Sequence, residues 1–364
     1  MKVVHFAEYA SGGVATYIKN LVNSQVSNSN ISKVIIYCSK NHSDFDILKF
    51  RDEKVKVISY PYRRGFIGIF KILGMKKKIM SSNPDVIHIH STFAGLIRFS
   101  FMFSKKKNKL LYCAHGWSFN KESSKFLLTF YRIIEKILSN FCYKIINISN
   151  YDSKSASFIG QNKMVTIRNS IPDLVVQKDK GSTNGKYRKI LFVGRLDFQK
   201  GIDILISVVN KYFDGENIRL TVVGDAIIDD SLSIKTENTD NIKFVGWKSQ
   251  SDVLHLLSDT DALVMPSRWE GLPITALEAM RESKMIISSD ADAIPEVVIN
   301  NYNGILFHKG SESSLSKAIS RFLVMSSKDI NKFGENGRHE YLTNFSYSQM
   351  LAKINELYLE VAEK

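Results

Sequence analysis

Pro266-Ser267-Arg268-Trp269-Glu270-Gly271-Leu272-Pro273-Ile274-Thr275-Ala276-Leu277-Glu278-Ala279-Met280 follows an apolar run, Asp261-Ala262-Leu263-Val264-Met265, that reads as a buried strand. From about Ile274 the residues are good helix formers, and Pro273 suits a first turn, where its missing N–H costs nothing. The stretch therefore predicts strand, tight loop and helix, with Glu270 in the loop and Glu278 inside the helix. A helix start beside the carboxyl edge of a sheet offers free N–H groups and a positive dipole end, which suit a phosphate. Two nearby carboxylates can accept hydrogen bonds from sugar hydroxyls. Phosphate and sugar together point to a nucleotide sugar.

Outward from this stretch, short apolar runs alternate with helical patterns along the whole chain. Strands are expected at Val3–Phe6, Val34–Tyr37, Val55–Ser59, Val86–His90, Leu110–Ala114 and Ile145–Ile148. A second series follows at Ile190–Val193, Leu220–Val223, Ile242–Val245, Ala262–Met265, Met285–Ser288 and Gly304–Phe307. Such alternation predicts parallel sheets covered on both faces. At 364 residues two domains are expected. Lys178-Asp179-Lys180-Gly181-Ser182-Thr183-Asn184-Gly185-Lys186 has linker composition. The expected architecture is thus α/β, with doubly wound domains at 1–178 and 186–345 and a terminal helix within 346–364. Ligands of such sheets bind at the carboxyl ends of strands.

Composition narrows the function. With 44% apolar and 24% charged residues the chain is a globular protein. Three separated cysteines in apolar surroundings, Cys38, Cys113 and Cys142, predict reduced, buried thiols in a cytosolic protein. Met1-Lys2-Val3-Val4-His5-Phe6 reads directly as a first strand, so no signal peptide is expected. No stretch approaches the ~20 apolar residues of a membrane span; Phe126 to Ile148 is broken by Arg132, Glu135, Lys136 and Lys144. Residues 1–180 carry 29 Lys and Arg against 11 Asp and Glu, whereas residues 181–364 carry 21 against 25. A basic half joined to a mildly acidic half implies a polyanionic partner on one side only. Nucleic acid is an unlikely partner, because interleaved aromatics and a known binding module are both lacking. Tyr62 to Lys78 and Phe93 to Lys107 mix large hydrophobes with cations. They are expected to be basic apolar helices, either lying at an anionic membrane surface or forming core helices with a solvated rim; the charge asymmetry favours the membrane.

Several further motifs end strands. In Phe192-Val193-Gly194-Arg195-Leu196-Asp197-Phe198-Gln199-Lys200-Gly201, two cations five residues apart can converge on one diphosphate, Arg195 as a fork of donors and Lys200 as a movable charge. Ser11-Gly12-Gly13-Val14-Ala15-Thr16-Tyr17 opens a helix whose glycines allow close backbone approach. Ala114-His115-Gly116-Trp117 follows another strand; Trp117 either stacks on a sugar or fills a wall. In His88-Ile89-His90 the two rings face one way, yet no third metal ligand is suggested nearby, and His90 is expected near an acceptor mouth.

These motifs together resemble the retaining glycosyltransferases of the GT-B fold, family 4 (group 1). Glu270 and Glu278 match the two-glutamate signature of that family, with seven residues between them. The resemblance implies two Rossmann-like domains facing each other across a cleft, with the final helix crossing back to the first. It implies that Glu270 touches the donor sugar, that Glu278 holds the ribose, and that Arg195 and Lys200 neutralise the leaving diphosphate. It further implies that Gly13 approaches the donor, that His115 contacts the donor sugar, and that Gly271, Leu272, Pro273 and Ile274 form the donor-binding helix start. The expected reaction transfers a sugar from a UDP- or GDP-sugar to a lipid-linked or other saccharide acceptor at the cytoplasmic membrane face. No metal and no further cofactor are expected. A hydrolase or epimerase of the same fold is the rival enzyme, and a non-catalytic carbohydrate-binding module is disfavoured by the intact glutamate pair. One departure stands out in Ser289-Asp290-Ala291-Asp292-Ala293-Ile294-Pro295-Glu296: Asp292-Ala293 occupies the place of the usual glycine pair. An Asp-x-Asp metal motif of the GT-A kind is rejected there, because the two-domain pattern puts this loop elsewhere.

Overall fold

The computed structural model describes residues 1–174, 187–225 and 237–364. Two compact units result, one of Met1–Asn169 with Tyr347–Lys364, the other of Ser170–Ser346.

The first unit holds a seven-stranded sheet: β1 (Lys2–Ala7), β2 (Lys33–Ser39), β3 (Val55–Tyr60), β4 (Val86–His90), β5 (Leu110–Cys113), β6 (Lys144–Asn147) and β7 (Met164–Thr166). Its order is β3-β2-β1-β4-β5-β6-β7, and every pairing is parallel. Parallel strands buried on both faces need continuous apolar sequence, and β2 and β5 supply it. Helices α1 (Gly12–Val26), α2 (Phe66–Ser81), α3 (Lys125–Leu138) and α4 (Asn150–Ser155) connect the strands. Strand order reverses between β1 and β4, the switch point at which doubly wound sheets bind ligands. β7 is three residues long and lies beyond the six strands read from apolar runs.

The second unit has a six-stranded parallel sheet, β8 (Arg188–Val193), β9 (Ile218–Val223), β10 (Ile242–Phe244), β11 (Ala262–Met265), β12 (Met285–Ser289) and β13 (Gly304–Phe307). Its order is β10-β9-β8-β11-β12-β13, so the switch point falls between β8 and β11. Helices α5 (Ile202–Tyr212), α6 (Gln250–Ser258), α7 (Ile274–Arg281), α8 (Glu312–Leu323) and α9 (Ser327–Asn344) cover it. Each unit has its own apolar core.

The second unit begins at Ser170, earlier than the boundary at 178 expected from linker composition. Hydrogen bonding explains the shift. Ser170 Oγ donates to Phe345 O at 2.6 Å, Tyr341 Oη donates to Ile171 O at 2.8 Å, and Arg338 grips Asp173 through both guanidinium nitrogens at 2.6 and 2.8 Å. The stretch Lys178–Lys186 itself lies outside the described residues. Helix α10 (Tyr347–Ala362) belongs to the first unit. Its Tyr347 Oη donates to Asn20 O at 2.7 Å, and Tyr358 is fully buried.

The expected helix at Phe93–Lys107 is corrected to two 3₁₀ segments, Ala94–Phe101 and Lys105–Lys109. Arg98 turns inward to Glu135, at 2.7 Å, and Gly95 lies so close to Tyr112 that a Cβ would meet the ring at 2.7 Å. These contacts tie the first segment down onto β5. All three cysteines are free and buried, and burial pushes the Cys38 thiol up to about 11.

Candidate active site

In the second unit the loops after β8 and β11 meet at the switch point. Gly201 makes this possible: its backbone is left-handed (φ 67°), and a Cβ there would lie 2.1 Å from Pro266 O. Arg268 N donates to Gln199 O at 2.8 Å, and Gln199 Nε2 donates to Trp269 O at 3.1 Å. Arg268 also holds Asp203 with two nitrogens, at 2.8 and 2.7 Å. None of Gln199, Asp203, Ser267 or Arg268 was singled out from sequence. Gln199, Asp203 and Arg268 bridge the two loops, and only the fold shows that.

Stitched together, the loops bring the expected charges into one place. Lys200 Nζ pairs with Glu270 Oε1, which also accepts Ser267 Oγ at 2.8 Å. Arg195 donates to Gln199 Oε1 at 2.8 Å and lies 3.0 Å from Asp197 Oδ2. Asp197 Oδ1 in turn accepts Lys200 N at 2.9 Å, fixing the turn that carries both cations. The Arg195 side chain is 40% exposed and that of Lys200 19%, while Glu270 is 8% exposed. Both cations can therefore meet an anion from solvent, while the glutamate is mostly shielded from it.

Helix α7 starts at Ile274, with buried Leu272 and Pro273 packed beneath the turn and Gly271 partly open. No acidic side chain occupies its first turn, so no carboxylate of that turn offsets the positive end of the dipole. Glu278 sits one turn on, 6% exposed, accepting Gln250 Nε2 at 3.3 Å. Burial raises its carboxyl above the ordinary carboxylate range.

Asp292 takes the left-handed conformation (φ 47°), which an aspartate tolerates better than most side chains. Its carboxylate accepts Glu270 N at 3.0 Å. The aspartate thus keeps a glycine-like backbone and fastens the Glu270 loop. Asp290 accepts Lys309 N at 2.9 Å, so the two carboxylates of the Asp-x-Asp serve different backbone partners.

In the first unit, Gly13 lies exposed at the start of α1 just after β1, and the preceding Gly12 has φ 52°. His115 follows β5 in a left-handed conformation (φ 56°), and Gly116 has φ 106°. A histidine held there is strained, a feature that concentrates at functional sites. Trp117 resolves to a core residue: it is 2% exposed, donates Nε1 to Asn147 Oδ1 at 3.0 Å and stacks on Phe119. The expected place of His90 at an acceptor mouth is corrected, since its side chain is fully buried between His5 and His115. The absence of a third histidine is corrected too. Parallel pairing sets His5 opposite His88, and the ligating atoms of His5, His88 and His90 lie within 4.8 Å of one another, the one group among the described residues able to hold an ion.

Comparison with known proteins bears on this geometry directly. The sequence model of the Glycosyl transferases group 1 matches residues 176–340, and that of Glycosyltransferase Family 4 matches residues 11–173. An uncharacterized 41.2 kDa protein in the cps region of Klebsiella pneumoniae is 31% identical over 84% of this chain and 86% of its own. This chain is a group 1, family 4 glycosyltransferase. A UDP-Gal:alpha-D-GlcNAc-diphosphoundecaprenol alpha-1,3-galactosyltransferase of Escherichia coli is 23% identical over 86% of each chain. Among solved structures, Anabaena Alr3699/HepE in complex with UDP and glucose superposes with a TM-score of 0.78 over 98% of each chain, at 16% identity. The two parallel sheets of this glycosyltransferase are the Rossmann-like domains of the GT-B fold. Among its described residues no helix is long and apolar enough to cross a membrane.

Proposed function

We propose that this glycosyltransferase moves a sugar from a UDP- or GDP-linked donor to a lipid-linked saccharide acceptor, with retention of anomeric configuration and without a metal, in the synthesis of a cell-surface polysaccharide. The observation that carries the proposal is the gathering of Arg195, Lys200 and Glu270 at the switch point beside the start of α7. A donor diphosphate there would draw the guanidinium, the ammonium and the α7 amides. Lys200 would exchange its Glu270 partner for phosphate oxygen, releasing the glutamate to accept from a sugar hydroxyl. Glu278 would accept from the ribose, His115 would contact the donor sugar, and Gly13 would let backbone approach the phosphates.

As the glycosidic bond breaks, negative charge collects on the leaving diphosphate, where preorganised cations are most effective. Retention follows from front-face attack, in which the leaving phosphate oxygen takes the proton of the acceptor hydroxyl. The lipid-linked acceptor is supported by the diphosphoundecaprenol substrate named for the Escherichia coli relative, and the polysaccharide setting by the cps-region relative. A UDP donor is supported by the UDP and glucose held by the Anabaena protein.

Association with an anionic membrane is supported by the surface of the first unit. Phe126, Phe130, Ile133 and Ile137 of α3 are spaced along one helix face and all exposed, with Lys125, Arg132 and Lys136 on the same helix. Phe66 and Ile67 of α2 are 77% and 82% exposed, beside a helix carrying Lys71, Lys76, Lys77 and Lys78. Exposed apolar side chains ringed by cations suit a lipid interface.

A panel of UDP- and GDP-sugars, read by thermal shift and then by NMR analysis of products with and without acceptor, tests the proposal. The expected outcome is stabilisation by one sugar nucleotide and an axial-to-axial or equatorial-to-equatorial product in EDTA. Sugar release without acceptor would make the enzyme a hydrolase, and inversion would overturn the mechanism.

A further inference from the structure

Four side chains on separate elements of the first unit form a hydrogen-bonded file that leads to His115. Gln25, on α1, is 3% exposed, and its Oε1 lies 3.0 Å from His5 Nε2 on β1. His5 Nδ1 lies 2.9 Å from His90 Nε2, at the end of β4. His90 Nδ1 lies 3.0 Å from His115 Nε2. The rings of His5 and His90, and of His90 and His115, are close to parallel, with centroids 5.2 and 5.3 Å apart. Each contact uses one nitrogen of each ring, so both nitrogens of His5 and of His90 are committed.

A neutral imidazole has one N–H and one lone pair, and a file of them must share a single direction. Burial holds the rings neutral: it lowers His5 to about 4 and His115 to about 3, and drives His90 well below its ordinary value. The direction is set at the inner end. Gln25 Oε1 can only accept, so the His5 proton is on Nε2 and His5 Nδ1 is a lone pair. His90 then donates from Nε2 and accepts at Nδ1, and His115 donates from Nε2. The amide is held in this sense because its Nε2 donates to Tyr358 Oη at 3.4 Å, and that hydroxyl lies 2.7 Å from His88 Nδ1.

We propose that Gln25, acting through His5 and His90, fixes the tautomer of His115 so that its remaining nitrogen, Nδ1, is a hydrogen-bond acceptor. Gln25, His5 and His90 are positioning residues, and none of them touches a reactant. The inference rests on the reading of His115 as a donor-sugar contact in one respect: an acceptor nitrogen selects a sugar that presents a hydroxyl proton at that place. It would disfavour a donor that offers only an ether or carboxylate oxygen there. His88 stands beside the file without joining it, since its bonded nitrogen faces Tyr358 and its Nε2 has no hydrogen-bond partner among the described residues.

The full chain labelled with ¹⁵N-histidine tests this by long-range ¹H–¹⁵N correlation, which distinguishes the two tautomers, with signals assigned through single His→Gln variants. His5, His90 and His115 are all expected to be protonated on Nε2. In Gln25→Leu the His115 signals should move toward a mixture of tautomers. The KM for the donor should rise about threefold to tenfold, the range that one neutral hydrogen bond supplies, with kcat less affected. His88→Gln should leave the His115 tautomer and the donor KM as they are. Protonation of His115 on Nδ1, a mixed set of tautomers along the file, or a His115 signal indifferent to Gln25→Leu overturns the proposal. Stoichiometric zinc binding that is lost in His88→Gln also overturns it, because a metal would take the same nitrogens. If the tautomers are as expected but His115→Gln leaves donor KM unchanged, the file stands and the sugar-contact reading of His115 falls.

Discussion

Lys200 Nζ pairs with Glu270 Oε1 although 70 positions separate them in the chain. Parallel pairing of β8 with β11 brings their carboxyl ends side by side, and Gly201 lets the two following loops touch. The cation proposed to meet the diphosphate therefore has a protein partner of its own.

Replacing Lys200 or Arg195 by Ala should lower kcat by ~10²–10³, the range found on removing one charge-stabilising donor. Steady-state kinetics at saturating donor, with circular dichroism to verify folding, measures it. Full turnover in both variants would remove these residues from the mechanism.

The loop geometry itself should be sensitive at Gly224. This residue has φ 142°, and a Cβ there would lie 1.8 Å from Gly194 O, immediately before Arg195. Gly224→Ala is expected to cost ~1–3 kcal/mol of stability through backbone strain and to shift the Arg195 turn. Denaturant midpoints and the donor KM should change together; an unchanged KM would show that the turn absorbs the displacement.

Stability should fall on mild acidification because of the buried histidines. His5 and His115 titrate at about 4 and about 3 when folded, against 6.5 ordinarily, so the unfolded chain binds protons that the folded chain refuses. Their contribution is complete above pH 6.5 and is lost as the pH drops toward the folded values, by up to ~1.4 kcal/mol per pH unit for each histidine. Urea unfolding at pH 7.5 and pH 5 should show the loss, and His5→Phe should reduce the difference between them.

Glu278 follows the opposite sign. Its folded value is raised by burial, so wild type is favoured at low pH and loses ground as the pH rises past the unfolded carboxylate range. Glu278→Gln should raise Tm at pH 8 and leave it almost unchanged at pH 4, while weakening donor binding. A fall in Tm at pH 8 would mean that an ionised partner holds the carboxylate.

Arg98 and Glu135 form a buried ion pair, with Arg98 3.6 Å above the Tyr112 ring and Tyr112 Oη 3.2 Å from Glu135 Oε1. Arg98→Met alone should cost about 3–5 kcal/mol by stranding the carboxylate, and the double variant Arg98→Met, Glu135→Leu should recover much of it. Thermal unfolding of the three proteins decides whether the loss is additive.

Most of the strands could be read because buried parallel strands need unbroken apolar runs, as in Ile190–Val193 and Ala262–Met265. β7 escaped because Met164-Val165-Thr166 is too short to show a pattern. The charged loop residues were legible through their spacing, whereas Gln199, Asp203 and Arg268 act only through contacts made across the fold. His5 could not be linked to His88 from the sequence, because the register that sets them opposite depends on which strands become neighbours. The role of Asp292 is hidden for a similar reason: the sequence shows only that it stands in place of a glycine, and the hydrogen bond to Glu270 N appears only once β11 and β12 lie together.

Tyr358 of α10 reaches the file of histidines through Gln25 and also meets His88, so the first unit is finished by a helix that follows the second unit in the chain. During translation, the second unit must emerge before the first can be completed, reversing the usual order in which an amino-terminal domain matures first. A nascent chain stalled after Ser346 would display an unfinished first unit with its Gln25 and His88 lacking their hydroxyl partner.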